Sequence, residues 1–294
     1  MKFGKVSDID LLQLTLPQDH RDTLVVLKSN TPQPHTPKVF TGFAQWNRNY
    51  LKSFYPKGIG KRDLEYYSTQ VNCIEMNAFF YRIFPPEMVE RWHHRSADGF
   101  TFCPKIPQTI SQFSRLKNCE DKTTKFLESI YQFKEKLGTV FLQMHPNFAP
   151  DSFQDLKHFM ASWPNDVPLT IELRHPDWYA DLTVAEELYT QLEKYAIGHT
   201  ITDTAGRRDL LHMRLTNPTC FIRFTGTNDK SDLLRINAWV ERLTHWSQQG
   251  LDKIYFFIHQ NDGHKNIDLY RYFVNQLNRS IGCSLTIPEQ QDIT

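Results

Sequence analysis

Eight short segments rich in β-branched and aromatic residues recur along this chain, and their first residues lie 23 to 39 positions apart. The segments are residues 38–43, 71–77, 100–105, 139–145, 169–174, 197–203, 220–225 and 254–259. Gaps of this length leave room for a helix between successive strands, which is what a parallel sheet requires. The spacing therefore predicts an α/β fold.

Most of the gaps between these segments carry helix-like patterns. A proline opens residues 86–95, residues 121–137 are amphipathic, and Thr183 with Glu186 has the form of a capping box for a helix through residue 195. Residues 231–249 and 268–278 complete the set, whereas the gap after Asp203 is too short to predict a helix. The alternation predicts a TIM-type (β/α)8 barrel of eight parallel strands surrounded by helices. The alternative is an antiparallel sheet with one solvent-exposed face.

A Pro/Thr-rich stretch precedes the first strand segment at residues 29–37. Its prolines can neither continue a helix nor occupy a central strand. We therefore expect a short N-terminal extension and linker over residues 1–37 and a single barrel domain over residues 38–294. The full length of 294 residues is within the range that α/β barrels reach as one domain.

Charge and composition limit the classes of partner that are expected for this chain. Its 34 basic and 33 acidic residues give a net charge of +1, so no overall field attracts nucleic acid or an anionic membrane. Residues 1–13 lack an apolar signal core, and no apolar run approaches the roughly 18 residues of a membrane span. The five cysteines include no CxxC pair, which favours reduced, mostly buried thiols. A cytoplasmic location and no membrane contact are expected.

Polar side chains share one face of nearly every predicted strand. Because side chains alternate between the two faces of a strand, residue parity assigns each to the barrel interior or to the helix layer. The outer face must be apolar to receive helices, so the polar face points inward, and its carboxyl-terminal layer is where such barrels carry chemistry. The polar residues selected in this way are Glu75, Asn77, Lys105, Gln143, His145, Glu172, Arg174, Asp203, Arg223, His259 and Asn261.

Acids and cations are balanced within this set. The acids are Glu75, Glu172 and Asp203, and the cations are Lys105, Arg174 and Arg223. Unpaired buried charge is costly, so these groups must pair with one another, with water or with a ligand. One interpretation is that the six charged groups pair with one another and fill this end of the barrel without a ligand. Burying six charges at strand ends carries a large desolvation cost, so stability alone is a poor reason to keep them there. This favours a ligand-binding role.

The first βα loop is rich in aromatic residues with polar edges. It contains Trp46 within residues 42–47 and the sequence FYP at residues 54–56. Such side chains can form a wall against which a sugar or a base stacks. Aromatic packing over the barrel mouth without any ligand is an equally open interpretation.

Several motifs together resemble those of the YecE-like family, domain of unknown function 72, over about residues 38 to 280. The motifs are GFAQW at 42–46, FYP at 54–56, IEMNAFFY at 74–81, FCPK at 102–105, FLQM at 141–144, IELRHPDW at 171–178 and IRF at 222–224. The resemblance implies a TIM barrel but no settled activity, and Tyr81 of the second-strand motif joins the expected site. Many members carry a histidine after the seventh-strand arginine motif, where this chain has Thr225.

The first functional hypothesis is an enzyme that carries out acid/base chemistry on a polar, sugar-like substrate bearing phosphate or carboxylate. Lys105, Arg174 and Arg223 would hold the anion, while Glu172 acts as base and Glu75 as acid. A Schiff base at Lys105 is a subsidiary hypothesis. The expected catalytic residues are Glu75, Glu172 and Lys105, and the expected substrate-binding residues are Arg174, Arg223, Asn77, Gln143, Trp46, Tyr81, Asp203 and Asn261. No cofactor is expected.

Two further hypotheses belong to other classes. A metal-dependent sugar isomerase or abasic-endonuclease-like barrel would draw its ligands from Glu75, His145, Glu172, Asp203 and His259. Arg174 beside Glu172, and Lys105 one strand from Glu75, would oppose a cation, so a site without a tightly held metal is expected. A non-catalytic module could instead bind a nucleotide, a sugar phosphate or a nucleic-acid backbone. The basic clusters at 57–62 and 207–208 are short, which disfavours nucleic acid.

Overall fold

The computed structural model describes residues 14–29, 36–51, 53–260 and 263–289. The strands in these ranges are β1 (Lys38–Phe43), β2 (Cys73–Met76), β3 (Thr101–Pro104), β4 (Val140–Gln143), β5 (Leu169–Glu172), β6 (Gly198–His199), β7 (Ile201–Asp203), β8 (Thr219–Thr225) and β9 (Lys253–His259). The α-helices are α1 (Thr23–Lys28), α2 (Asp63–Gln70), α3 (Ala78–Tyr81), α4 (Pro86–Arg95), α5 (Glu120–Ile130), α6 (Phe153–Ser162), α7 (Asp177–Ala180), α8 (Leu182–Lys194), α9 (Ser231–Gln248) and α10 (Gly263–Ile281).

All strand pairs in the described part of the chain are parallel. They form a six-stranded sheet in the order β3-β2-β1-β9-β8-β7 and a three-stranded sheet in the order β4-β5-β6. The sixth predicted segment is divided between the two sheets, because it is interrupted at Thr200. The parallel α/β fold is thus confirmed, whereas one continuous eight-stranded sheet is not observed.

Two groups of buried apolar residues lie on the two faces of the strands. The larger one joins the outer faces, with residues such as Ile171 and Ile222, to the surrounding helices. The smaller one consists of Cys73, Cys103, Phe141, Phe221, Tyr255 and Phe257. Because side chains alternate between the two faces of a strand, this second cluster lies on the same face as the polar residues of the expected site. It packs next to them, on the side away from the carboxyl ends of the strands.

Two predicted helix boundaries are corrected. Asp181, and not Thr183, is the N-cap of α8, and its carboxylate accepts from the backbone N–H of Thr183 at 2.8 Å. The predicted helix over residues 121–137 divides into α5 and a 3₁₀ turn at Tyr131–Lys136, where Lys134 has a φ of 51°. The helix predicted over 86–95 matches α4.

The described part of the predicted N-terminal extension packs against the α/β fold. The hydroxyl of Thr23 donates to the carbonyl of Met213 at 2.9 Å, and the carboxylate of Asp19 accepts from the indole of Trp246 at 3.0 Å. Most of the predicted linker, residues 30–35, lies outside the described residues. Among the helices of the described ranges, none has the length and apolarity needed to cross a membrane.

Gly42 allows β1 and β2 to approach each other closely. A Cβ at this position would lie 2.0 Å from the carbonyl oxygen of Cys73 and 2.9 Å from the hydroxyl of Tyr67. Gly42→Ala is therefore expected to lower the free energy of unfolding by about 3 kcal/mol in urea denaturation, because backbone has to move. Gly198→Ala is the control, since its Cβ would meet Thr170 at 3.2 Å or more. Equal losses in the two variants would contradict this reading.

Candidate functional site

The polar residues of the site sit where parallel strands end. Glu75 precedes the last residue of β2, Lys105 follows β3, Gln143 and Glu172 end β4 and β5, Arg223 lies in β8 and His259 ends β9. In the sheet register, Gln143 is paired with Glu172. Because the carboxyl ends of parallel strands meet at one edge, these side chains reach a common space from several strands.

Arg223 stands between two buried carboxylates. Its Nε and Nη2 donate to the two oxygens of Glu75 at 2.9 and 3.0 Å, and its Nη1 donates to Glu172 at 2.8 Å. Burial alone would raise the pKa of Glu75, but Arg223 and His259 hold that pKa well below its usual range. At Glu172, burial again raises the pKa, but Arg174 and Arg223 outweigh it and lower the pKa to about 2. Both carboxylates are ionised at neutral pH.

Gln143 links this ion-pair network to Lys105. Its amide nitrogen donates to both oxygens of Glu172 at 3.0 and 3.1 Å, and its amide oxygen accepts from Lys105 Nζ at 2.9 Å. The amide orientation is consistent on both sides, because a carboxylate only accepts and an ammonium only donates.

Lys105 is buried without a carboxylate partner in the described part of the chain. Its side chain is 6% exposed, and Nζ lies 4.3 Å and 5.3 Å from the ring centres of Phe80 and Phe141. Burial, together with the charge of Arg223, outweighs the attraction of the two carboxylates and lowers the pKa of Lys105 to about 7. A substantial fraction of this amine is therefore neutral at physiological pH.

His259 and Asn77 complete the surroundings of Glu75. The imidazole Nε2 of His259 lies 2.9 Å from Glu75 Oε2, and the amide of Asn77 donates to Glu75 Oε1 at 2.8 Å. His259 was not among the expected substrate-binding or catalytic residues, although strand parity placed it on the same face. It is paired in register with Thr225 of β8, and this imidazole enters the site from β9.

A cavity of about 570 Å³ opens at these strand ends. Its lining includes Trp46, Tyr50, Asn77, Phe80, Tyr81, Lys105, Gln143, Arg174, Thr202, Arg223, Thr225, His259 and Gln260. Glu75 and Glu172 contact the lining residues without lining the cavity themselves. The volume is within the range of small-molecule sites.

Polar atoms around the cavity offer contacts to a ligand. Within the described residues, Thr202 Oγ1 and Gln260 Oε1 are buried and have no hydrogen-bond partner. Burial raises the pKa of Tyr50 to about 12, so its hydroxyl stays protonated. A hydroxylated ligand could pair with the oxygens of Thr202 and Gln260, which would otherwise carry a desolvation cost.

Asp203 was expected to bind substrate, and the structure corrects this. Its carboxylate accepts from Arg235 Nη2 and from Trp239 Nε1, both at 2.7 Å, and it also pairs with Arg208. The residue therefore faces α9, while its neighbour Thr202 lines the cavity. The inward expectation is wrong because Asp203 shares its strand face with Ile197 and Ile201, which pack in the outer apolar cluster.

The remaining expected residues lie in different places. Trp46 lines the cavity and packs edge-on against Trp92 with ring centres 5.9 Å apart, and Tyr81 is 71% exposed at the rim. Asn261 lies outside the described residues. His145 does not line the cavity.

The ligand set of the metal-dependent hypothesis is not brought together. In the described ranges, the one group of three metal-ligating side chains with donor atoms within 4.8 Å of one another is His20, Asp22 and Glu186. None of these three lines the cavity. Glu75 pairs with Arg223, and not with Lys105 as expected, so a cation at Glu75 would have to displace a bidentate arginine.

Comparisons with known proteins agree with the fold. A family model described as "Protein of unknown function DUF72" matches residues 40–292. The UPF0759 protein YecE of Escherichia coli K12 is 29% identical over 279 residues, which cover 87% of this chain and 99% of that protein. The UPF0759 protein YunF of Bacillus subtilis is 25% identical over 153 residues, 48% of this chain and 52% of its own length.

Solved structures of DUF72 family proteins have the same fold. One from Enterococcus faecalis V583 has a TM-score of 0.65 at 20% identity and covers 86% of this chain and 100% of its own. One from Thermotoga maritima MSB8 has a TM-score of 0.65 at 18% identity and covers 82% of this chain and 99% of its own. At these identities, the likeness concerns the fold alone.

Proposed function

This chain belongs to the DUF72 family, whose function is unknown, and we propose that it is an enzyme that carries out acid/base chemistry on a polar, anionic, sugar-like substrate. The observation that carries the proposal is the setting of Lys105. Its amine is buried in the cavity wall and bound to a neutral amide, while the nearby carboxylates are paired with arginines. An amine without a counter-ion in such a site is available to accept a proton from a ligand.

The roles of the acidic residues change with this geometry. We expected Glu75 to act as an acid and Glu172 as a base, but an ionised Glu75 has no proton to donate, and Glu172 is a weak base at a pKa of about 2. We therefore propose Lys105 as the base. His259 lines the cavity and is held by Glu75, which fits a group that delivers or removes a second proton.

The charge of the cavity favours an anionic ligand. Arg174 and Arg223 line the cavity and together offset Glu75 and Glu172, so protonation of Lys105 leaves an excess positive charge. A phosphate or carboxylate would neutralise this excess, and a guanidinium matches its oxygens well. The buried oxygens of Thr202 and Gln260 are suited to the hydroxyl groups of a sugar-like substrate.

We also propose that the two sheets close into the predicted (β/α)8 barrel. Isolated parallel bridges join Phe102 to Leu137 and Lys105 to Phe141, between the β3 and β4 edges. At the other edge, one continuous segment carries both β6, which pairs with β5, and β7, which pairs with β8. The five cysteines are free, which agrees with the cytoplasmic location proposed from the sequence.

A binding module without turnover is the second candidate, because the paired carboxylates are also what a rigid recognition site would contain. Hydrogen exchange separates the two candidates. The protein is incubated in D2O with ribose 5-phosphate, glucose 6-phosphate or glyceraldehyde 3-phosphate, and loss of the C–H signal beside the carbonyl is followed by NMR. Lys105→Met is expected to slow exchange of the responsive compound by about 10²–10⁴-fold, the usual contribution of a general base.

Lys157→Met is the matched control, since Lys157 pairs with Glu187 at the surface away from the cavity. Binding of inorganic phosphate is measured separately by calorimetry, and Arg174→Gln is expected to weaken it by about tenfold or more, through the loss of a charged hydrogen bond. Phosphate binding without any Lys105-dependent exchange would favour the binding module. Arg174-independent binding and equal exchange in both lysine variants would contradict the proposal.

A further inference from the structure

We infer that Lys105 is a nucleophile that forms an imine with the carbonyl carbon of a small aldehyde or ketone bearing a phosphate or carboxylate. The inference rests on the proposed function and names its substrate class. A base could be supplied by many side chains, but a covalent bond to a carbonyl carbon needs an uncharged amine with open space in front of it. Lys105 lines the cavity of about 570 Å³ and supplies that amine.

The neighbours of Lys105 suit a nucleophilic amine. Phe80 and Phe141 present their rings to Nζ, and Gln143 accepts one of its hydrogens at 2.9 Å. No carboxylate of the described residues forms an ion pair with it, so deprotonation breaks no salt bridge. Arg223 adds a fixed positive charge nearby, which disfavours the ammonium form.

The chemical step balances with one proton taken up and one water released. The lone pair of neutral Nζ forms a bond to the carbonyl carbon while the C–O π bond breaks, and a proton moves from nitrogen to the oxygen to give a carbinolamine. Protonation of its hydroxyl group then lets water leave with the C–O bond pair, and the product is a protonated imine. His259, hydrogen-bonded to Glu75, can deliver the proton to the departing oxygen.

The carboxylates near Lys105 offset part of the cost of a charged product, which burial and Arg223 disfavour. The protonated imine carries its charge where the ammonium charge would be, within the field of Glu75 and Glu172, both of which favour a cation at Lys105. The imine N–H can still donate to Gln143. Arg174 would hold the anionic end of the substrate, because its guanidinium lines the same cavity.

Reductive trapping tests the inference on the intact protein. Glyoxylate, pyruvate and glyceraldehyde 3-phosphate are each added with sodium cyanoborohydride at pH 7, and the adduct is located by peptide mass spectrometry. We expect at least one compound to label Lys105 at least about tenfold faster than any other lysine, because an ordinary lysine is almost fully protonated at this pH. Inorganic phosphate should slow the labelling by competing for the cation site.

Lys105→Met and Lys105→Arg should lose the adduct, and Lys157→Met should keep it. Arg174→Gln should slow labelling of Lys105 by glyceraldehyde 3-phosphate, which a merely exposed lysine would not do. Slow labelling spread over surface lysines, unchanged in Lys105→Arg, would overturn the inference. If hydrogen exchange in D2O still depends on Lys105 in that case, the amine is a base only and the proposed function stands; if exchange is also absent, both fail.

Discussion

Arg223→Met is expected to lower the free energy of unfolding by about 3–5 kcal/mol at pH 7, as does removal of one partner from other buried ion pairs. The side chain donates three charged hydrogen bonds to two carboxylates that are almost inaccessible to water. Without it, Glu172 keeps Arg174, but the partners left to Glu75 in the described ranges are the imidazole of His259 and the amide of Asn77. Urea denaturation followed by circular dichroism measures the loss.

The loss should shrink at acidic pH. In the wild type, the folded-state pKa values of Glu75 and Glu172 lie below the ordinary value of 4.5, so their contribution to stability is present above that pH. It is lost as the pH falls from 4.5 through about 2. In Arg223→Met, burial is opposed by fewer charges, so protonation comes at higher pH and relieves the penalty.

Arg21→Met is the control, because the Arg21 side chain is 76% exposed and contacts Glu186 outside the cavity. Its effect should stay within about 0.5 kcal/mol at every pH, as is usual for surface positions. A difference between Arg223→Met and wild type that stays constant from pH 7 to pH 4 would argue against ionised, arginine-paired carboxylates.

Strand parity located most of the site because the two faces of most strands differ sharply. In β5 and β8, isoleucines pack under the helices while Glu172 and Arg223 occupy the other face, so the pattern has one solution. In residues 197–203 the apolar reference is Ile197 and Ile201, which belong to the outer apolar cluster and share a face with Asp203. Parity relative to these isoleucines directs Asp203 towards the helices, where Arg235 and Trp239 donate to it, and the inward expectation followed its charge instead.

It is harder to predict from the sequence which charged residues pair with one another. Arg174 is two residues from Glu172, and this pair was expected from local spacing. Arg223 reaches Glu75 across 148 positions of the chain, which depends on how the sheet curves and cannot be read from periodicity. That one long-range pairing leaves Lys105 without a carboxylate partner among the described residues, and the role proposed for Lys105 rests on this setting.

Asp203→Ala is expected to destabilise the protein by about 3–5 kcal/mol while leaving phosphate binding unchanged. The substitution takes from Arg235, a buried residue of α9, the carboxylate that accepts from it at 2.7 Å and leaves it the more distant Asp232 at 3.2 Å. It also removes the acceptor of the Trp239 indole N–H. Neither contact involves a residue that lines the cavity.

Asp209→Ala provides the comparison, because Asp209 pairs with Arg207 at the surface and is itself half-exposed. Its removal should cost less than about 1 kcal/mol, the usual range for exposed pairs. Denaturation reports stability, and calorimetry with inorganic phosphate reports the site. A stable Asp203→Ala protein whose phosphate affinity changes tenfold, in either direction, would mean that the carboxylate faces the ligand, as expected from the sequence. Since Arg235 and Trp239 reach Asp203 from α9, we expect the opposite separation: stability lost and affinity kept.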